Sequence, residues 1–546
     1  MSTTTLDFYW DLASLDEGKR LEAATGLISA LCKFQSEKQR PAGTSQELAQ
    51  TEEDLDRICA HDVSYAVKRL VKGLASPRDG ARQGYSIALS ELLSRIQCVS
   101  VKVVLDLLWK YTVATKSMKG SEQRDMRFGR IFGLMALLQS GIVSREGAAT
   151  SVEMRKIVGE LAAIGAKKSY LREIAYVTMA SMVPMLGGFA GRDELITMFV
   201  GVGLDKGAIE TPDELYLALQ LRRQYPDYDW HSALPQWQGK HMFAEKNVSK
   251  LVGILCETSE ENTALFSSWH PQLHIVWDEV FALYFDKARA KEVAHCQVME
   301  FETLWETVVE RGLFAAGASQ FRRYWGFLLV ERLLPYLSET TVPAMMSPNI
   351  VRALSDNISL AQKSALAKVS MRAAEKLVEI CERNSKVGLA VLTHLLNQKS
   401  TIQAADGKQT SLRTMMASRI VAKLDGEAIV GYVKYLEDIF LQPGRTSGAL
   451  EGVATAVSSD KSVERQRAWA IDQMVRVARF DQVSVSADVA RSVVAFAVSH
   501  AAFVDPLASP PISGTTRDYC AAAVVSAVGD VGRGQGEAWA TQAVAQ

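Results

Sequence analysis

Two stretches of the chain share one skeleton: a small hydroxyl residue, an arginine six positions later, and apolar residues nine and thirteen positions later. They are Ser14, Arg20, Ala23 and Leu27, then Ser76, Arg82, Tyr85 and Leu89. A repeated amphipathic helix carrying an arginine cannot bury its apolar stripe alone, so it must stack on copies of itself. The expected fold is therefore all-α, a HEAT/armadillo-like α-solenoid of stacked antiparallel helix pairs. Such a chain offers surfaces before it offers a reaction pocket.

At 546 residues the chain exceeds the size at which one hydrophobic core stops growing, so it forms several domains or an elongated array. Apolar residues at 48% and charged residues at 23% exclude wholesale disorder. The 61 basic and 62 acidic side chains nearly cancel, which neither supports nor excludes a nucleic-acid partner. Seven scattered cysteines, none at C-x-x-C spacing, fit a reduced intracellular compartment. The first residues lack the basic region and apolar core of a secretory signal. Residues 174–191 carry no charge, but Pro184 and the Gly187-Gly188 pair make them a poor membrane span. No membrane and no small-molecule partner is expected.

Helical periodicity recurs along the chain. Ser76, Pro77 and Asp79 read as a capped start for the stripe Tyr85, Ala88, Leu89, Leu92 and Ile96. Ser14 and Glu17 read as the matching capping box ahead of Leu21, Ala24, Ile28 and Leu31. Further amphipathic runs fall at 101–111, 131–138, 273–285, 327–337, 371–381 and 429–440, and none alternates with the period of a strand. Polar or Gly/Pro-containing breaks lie near 35–54, 205–212, 225–241, 397–411, 442–462 and 506–517. The break holding Pro226, Trp230, Pro235 and Trp237 divides the expected repeats into 1–225 and 242–528, with 529–546 as a frayed or truncated end.

Residues at the spacings that site chemistry requires are scarce. Gly407-Lys408 and Gly239-Lys240 lack the remainder of a phosphate-binding loop, and Gly201, Gly203 and Gly207 miss dinucleotide spacing by one residue. His270 and His274 stand four apart without the glutamate of a zinc-protease pattern, and His295 beside Cys296 is equally unsupported. Asp227 and Asp229 form an isolated acidic pair read as solvated turn residues. No cofactor, metal or catalytic residue is expected.

Clustered positive charge is the one positive signal. Lys68, Arg69, Lys72, Arg78 and Arg82 lie within fifteen residues against the single acid Asp79, and a looser group holds Lys110, Lys116, Lys119, Arg124, Arg127 and Arg130. Such clusters can neutralise phosphates without reading sequence. The competing reading is that Arg82, like Arg20, pairs with a neighbouring repeat while the remainder is a hydrated helix face. Arg322, Arg323 and Tyr324 beside Trp325 invite base stacking, although an aromatic residue at helical spacing is usually core.

Several segments, in order, resemble one family. Phe8-Tyr9-Trp10-Asp11-Leu12-Ala13-Ser14 with Arg20-Leu21-Glu22-Ala23-Ala24 is similar to the opening of the nucleolar proteins called DNA polymerase V in fungi and Myb-binding protein in vertebrates, also labelled DNA polymerase phi. Lys68-Arg69-Leu70-Val71-Lys72-Gly73-Leu74-Ala75-Ser76, running to Arg82-Gln83-Gly84-Tyr85-Ser86, resembles its most distinctive block. Gly129-Arg130-Ile131-Phe132-Gly133-Leu134, Tyr324-Trp325-Gly326-Phe327 and Trp469-Ala470-Ile471-Asp472-Gln473 add weaker matches.

The resemblance implies a nuclear, nucleolus-enriched scaffold in ribosomal RNA transcription and large-subunit biogenesis. Its implied partners are ribosomal DNA or pre-ribosomal RNA, together with assembly or transcription proteins. The alternatives it carries are a DNA-directed DNA polymerase, as the family label says, and a transcriptional co-regulator acting only through protein contacts. The residues show no Tyr-Gly-Asp-Thr-Asp-like turn of a B-type polymerase palm. Members also continue into an acidic tract and a basic tail that this sequence does not contain.

Overall fold

The computed structural model describes residues 3–39, 47–189, 191–204, 208–256, 272–289, 293, 296–359, 364–397, 412–443, 460–479, 487–503 and 506–530. These residues are predominantly helical, and no strand occurs among them; Ala49 and Val99 make one isolated bridge. They group into two units, one drawn from Met1–Ser267 with His274–Val298 and the other from Ser268–Leu273 with Met299–Gln546.

In the first unit the main helices are α1 (Thr3–Asp11), α2 (Glu17–Gln39), α3 (Glu52–Ile58), α4 (His61–Gly73), α5 (Asp79–Arg95), α6 (Val101–Tyr111) and α7 (Gly120–Gln139). They are followed by α8 (Ser151–Lys167), α9 (Ser169–Met182), α10 (Arg192–Gly203), α11 (Pro212–Gln224), α12 (Val248–Leu255) and α13 (Val276–Phe285). Their packing follows an alternating pattern. Helices α2, α5, α7, α9, α11 and α13 each contact the next in that series, while α4 packs on α6 and α8 on α10. Chain neighbours α4 with α5, α6 with α7, α8 with α9 and α10 with α11 join the two series.

Sequence explains these faces. In α4, Val63, Ala66, Val67, Leu70 and Val71 are buried at helical spacing, leaving Lys68, Arg69 and Lys72 on the other side. Glycines mark the closest crossings. A Cβ on Gly84 of α5 would collide with the Leu12 carbonyl oxygen just after α1, and one on Gly129 of α7 would press on the Leu74 and Ala75 backbone just after α4.

Helix starts differ from the expected ones. Ser14 Oγ accepts from Asp16 N at 3.1 Å, and Asp16 Oδ1 accepts from Lys19 N at 3.1 Å, so Asp16 rather than Ser14 caps α2. Ser76 Oγ likewise accepts from Arg78 N at 3.2 Å, while the Asp79 carboxylate turns to Arg82. A serine hydroxyl two residues from a free amide closes a local turn and is then unavailable as a helix cap. Reciprocal capping boxes occur instead at Thr51/Asp54, Thr150/Glu153 and Thr211/Glu214.

Within 174–191 the described residues form the end of α9, a 3-10 turn over Val183–Gly188 that contains Pro184, and the approach to α10. Among the described residues no helix is long and apolar enough to cross a membrane. Trp230 and Trp237 are buried in the first unit, with Trp230 Nε1 donating to Tyr225 O at 2.8 Å.

The second unit holds a π-helix, Trp305–Leu313, and helices α14 (Gln320–Leu333), α15 (Pro348–Ser359), α16 (Ala365–Arg383), α17 (Ser385–Asn397), α18 (Leu412–Val421), α19 (Gly426–Leu441), α20 (Asp460–Arg479), α21 (Ala487–Ala502) and α22 (Gly514–Asp530). Contacts run from α14 to α16, α17, α19, α20 and α22 in turn. The wide π turn places Glu310 inward, where its carboxylate accepts from Asn349 N at 2.8 Å, from Ile350 N at 3.2 Å and from Ser347 Oγ. An acceptor carrying negative charge at those open amides caps α15. The final segment from 531 lies outside the described residues.

Candidate nucleic-acid interface

The two repeat arginines are built into the fold. Arg20 is 8% exposed; its Nη1 donates to Ser14 O at 3.0 Å and Leu15 O at 2.9 Å, and its Nη2 donates to Gln83 Oε1 of α5 at 3.1 Å. Arg82 is 5% exposed; its Nη1 donates to Ser76 O at 2.7 Å and lies 3.4 Å from Asp125 Oδ1 of α7, while Nη2 pairs with Asp79. Its guanidinium carbon sits 5.1 Å from the Phe128 ring centroid. Each arginine thus fills the carbonyls left open after the preceding helix and reaches the next helix in the same series. Burial makes the Arg82 proton easier to lose than usual, and the Asp125 charge opposes that.

Arg130 does comparable work, with Nη2 donating to Thr112 O at 2.9 Å after α6 and Nη1 paired with Glu160 of α8 at 2.6 Å. Arg145 Nη2 donates to Leu93 O at 2.8 Å near the end of α5. A guanidinium suits this task because its fixed fork of donors satisfies several carbonyls at once.

The other members of the first basic cluster lie on α4 and the turn after it. Lys68 Nζ sits 2.7 Å from Asp56 Oδ1 and 3.5 Å from Glu52 Oε1 of α3. Lys110 of α6 closes the same group, 2.7 Å from Glu52 Oε2. Lys68, followed by Ser64, holds the Asp56 carboxyl below its ordinary range, and Lys110 does the same for Glu52. This corner is therefore locally neutralised.

Arg69, Lys72 and Arg78 are exposed. Arg69 lies 6.0 Å from the Tyr9 ring centroid, within reach of a cation–π contact. Burial, with nearby Tyr65, pushes that phenol well above its usual range. Lys72 and Arg78 have no ion-pair partner among the described residues. Nearby Lys116, Lys119 and Arg124 are also exposed. Exposed guanidinium and ammonium groups of this kind are the chemistry that neutralises backbone phosphates without reading bases.

Arg322 and Arg323 belong to the second unit and are half-buried. Arg323 Nη2 donates to Ala316 O at 3.1 Å, whereas Arg322 Nε and Trp325 Nε1 are enclosed without a hydrogen-bond partner among the described residues. Gly326 and Phe327 behind them pack against Phe314.

Among the described residues no group of three or more His, Cys, Asp or Glu side chains could hold a metal ion. His274 Nε2 meets Asp213 Oδ1 at 3.1 Å; His270, His295, Gly207 and the 407–408 pair lie outside the described residues. Asp229 caps the Trp230–Ala233 turn through Ser232 N at 3.2 Å. Hydrogen bonding to Ser232 holds its carboxyl below the usual range. Two features carried no sequence signal: Arg467, which is 1% exposed, and the close approach of Cys59 and Cys98.

The chain is 26% identical over 482 residues to the rDNA transcriptional regulator pol5 of Schizosaccharomyces pombe, covering 87% of this chain and 45% of that protein. It is 25% identical over 537 residues to Myb-binding protein 1A of Mus musculus, covering 94% and 35% respectively. A third relative, the rDNA transcriptional regulator POL5 of Saccharomyces cerevisiae, is 25% identical over 429 residues, 69% of this chain and 40% of that protein. The chain thus spans less than half the length of these curated relatives. No solved structure matches it. The sequence profile described as DNA polymerase phi matches residues 65–546, and the chain belongs to that family.

Proposed function

We propose that this chain is a non-catalytic HEAT/armadillo-like scaffold of the nucleus and nucleolus that acts in ribosomal RNA transcription and large-subunit biogenesis. The observation that carries this reading is the match, over 87% of the chain, to a relative named for regulating rDNA transcription. The alternating helix series supports the stacked-repeat geometry. The exposed Arg69, Lys72 and Arg78 supply a face for the phosphates of ribosomal DNA or pre-ribosomal RNA. Arg322 and Arg323 are the second-unit candidates for the same role.

Titration of a labelled ribosomal DNA duplex at several salt concentrations tests the nucleic-acid half. The triple variant Arg69→Glu, Lys72→Glu, Arg78→Glu is expected to bind more weakly and to lower the slope of log affinity against log salt by about 2–3 units. An unchanged slope removes this face from the reading.

The relatives named Myb-binding protein 1A favour a second reading, a co-regulator that works through protein contacts. Co-purification after nuclease treatment separates the two: transcription proteins retained without nucleic acid support the adaptor. The polymerase in the family description is tested by primer extension with magnesium, comparing the wild-type chain with Asp227→Ala; incorporation lost in the variant would support an enzyme.

A further inference from the structure

Cys59 and Cys98 are separated by 39 positions, yet their sulfurs lie 3.3 Å apart. Both are fully buried, and the fold fixes their backbones. Cys59 sits between α3 and α4; its carbonyl accepts from Lys38 Nζ of α2 at 2.6 Å, and the next amide, Ala60 N, donates to Gln35 Oε1 at 2.7 Å. Cys98 sits between α5 and α6; its carbonyl accepts from Ala49 N at 2.8 Å, and Gln35 Nε2 lies 3.5 Å from its sulfur. Arg145 donates to the Ile96 and Gln97 carbonyls beside it.

The two thiols are electrically unequal. The hydrogen bond between the sulfurs, in which either can donate, lowers the Cys98 thiol below its ordinary range, aided by the Lys38 and Arg145 charges, and together with burial raises Cys59. A disulfide requires the sulfurs to close to about 2 Å. From their present separation of 3.3 Å, the sulfurs have roughly 1 Å to close. Of the other cysteines of the described residues, Cys32 and Cys296 are partly exposed and Cys256, Cys381 and Cys520 are buried.

We infer that Cys59 and Cys98 are a redox modification site, a reduced dithiol that hydrogen peroxide, admitted when the fold opens locally, converts to an intramolecular disulfide joining the root of α4 to the α5–α6 connection. The Cys98 thiolate attacks the peroxide, breaking its O–O bond to give a sulfenic acid and, after proton transfer, water. The Cys59 sulfur then attacks the sulfenic sulfur, and a second water leaves with the Cys59 proton. In total two thiols lose two electrons and two protons, and one peroxide is reduced to two waters. Thiol–disulfide exchange with an external dithiol reverses the link.

The test uses the full 546-residue chain, reduced, freed of reductant and exposed to hydrogen peroxide, with disulfides mapped by mass spectrometry after proteolysis. The expected product is a peptide pair joined through Cys59 and Cys98, abolished by dithiothreitol. Its yield under native conditions should exceed that in urea at least about tenfold, because unfolding separates the thiols. The unfolding midpoint of the oxidised chain should rise by about 5 °C or more, since the link closes a long loop. Separate sulfinic acids at the two positions overturn the inference. So do links shuffled to Cys32 or Cys296, or oxidised Cys32 beside an unmodified pair. Cys98→Ser should leave Cys59 unlinked; because the mapping on the unmutated chain decides alone, poor folding of that variant does not protect the idea.

Discussion

Arg82 in the first unit fills a carbonyl six residues before itself, whereas Arg467 in the second gathers carbonyls from three distant positions. Arg467 Nε donates to Phe440 O at 2.9 Å, Nη1 to Pro511 O at 3.0 Å and Nη2 to Pro510 O. Both are buried guanidiniums that satisfy open backbone acceptors and tie successive helices together. They differ in sequence distance. A local target fixes the spacing between serine and arginine, so Arg20 and Arg82 leave a repeated trace; a remote target imposes no spacing, so Arg467 leaves none.

That contrast can be broken experimentally. The largest loss is expected at Arg467→Ala, about 4 kcal/mol, because three carbonyls lose their donor inside the second unit. Urea unfolding followed by helical circular dichroism reads it, and a loss below about 1 kcal/mol would show that water replaces the guanidinium. Gly84→Ala should cost about 3 kcal/mol by driving α5 off the Leu12 carbonyl, and thermal unfolding measures that change. Arg20→Ala should cost only about 1 to about 2 kcal/mol by the same urea measurement. Its contact with the next helix is to neutral Gln83 rather than to a carboxylate.

Acid should produce the smallest effect. Asp56 and Glu52 have folded pKa values below their unfolded ones, so their contribution is complete above about pH 4.5 and is lost as pH falls through the folded values. Both are solvent-screened, so Asp56→Asn with Glu52→Gln should change acid stability by less than about 1 kcal/mol in a pH-dependent melt. A larger change would make the α3–α4–α6 corner a structural ion-pair network of its own.

The same local-versus-remote distinction explains what the sequence disclosed. The helical class and the buried stripe of α5, from Tyr85 to Leu92, were legible because periodicity is local, and so was the role of Arg20 as a partner to a neighbouring helix. The caps were less legible: Ser14 and Ser76 close short turns, while the capping boxes form at Thr51, Thr150 and Thr211. Within the basic cluster, spacing could not separate Arg82, turned inward, from Arg69, Lys72 and Arg78, because the partners Ser76 O and Asp125 become visible only after α5 and α7 pack. The Glu310 cap and the Cys59–Cys98 pair depend on long-range packing and left no pattern in the chain.

The most direct test compares the unfolding free energies of Arg82→Ala and Lys72→Ala in the same buffer. Arg82→Ala should lose about 3 kcal/mol, because Asp125 and the Ser76 carbonyl are left without their donor, and Lys72→Ala should stay within about 0.5 kcal/mol of the unmutated chain. Equal effects, or a larger one at Lys72, would contradict the division between inward staples and outward charge.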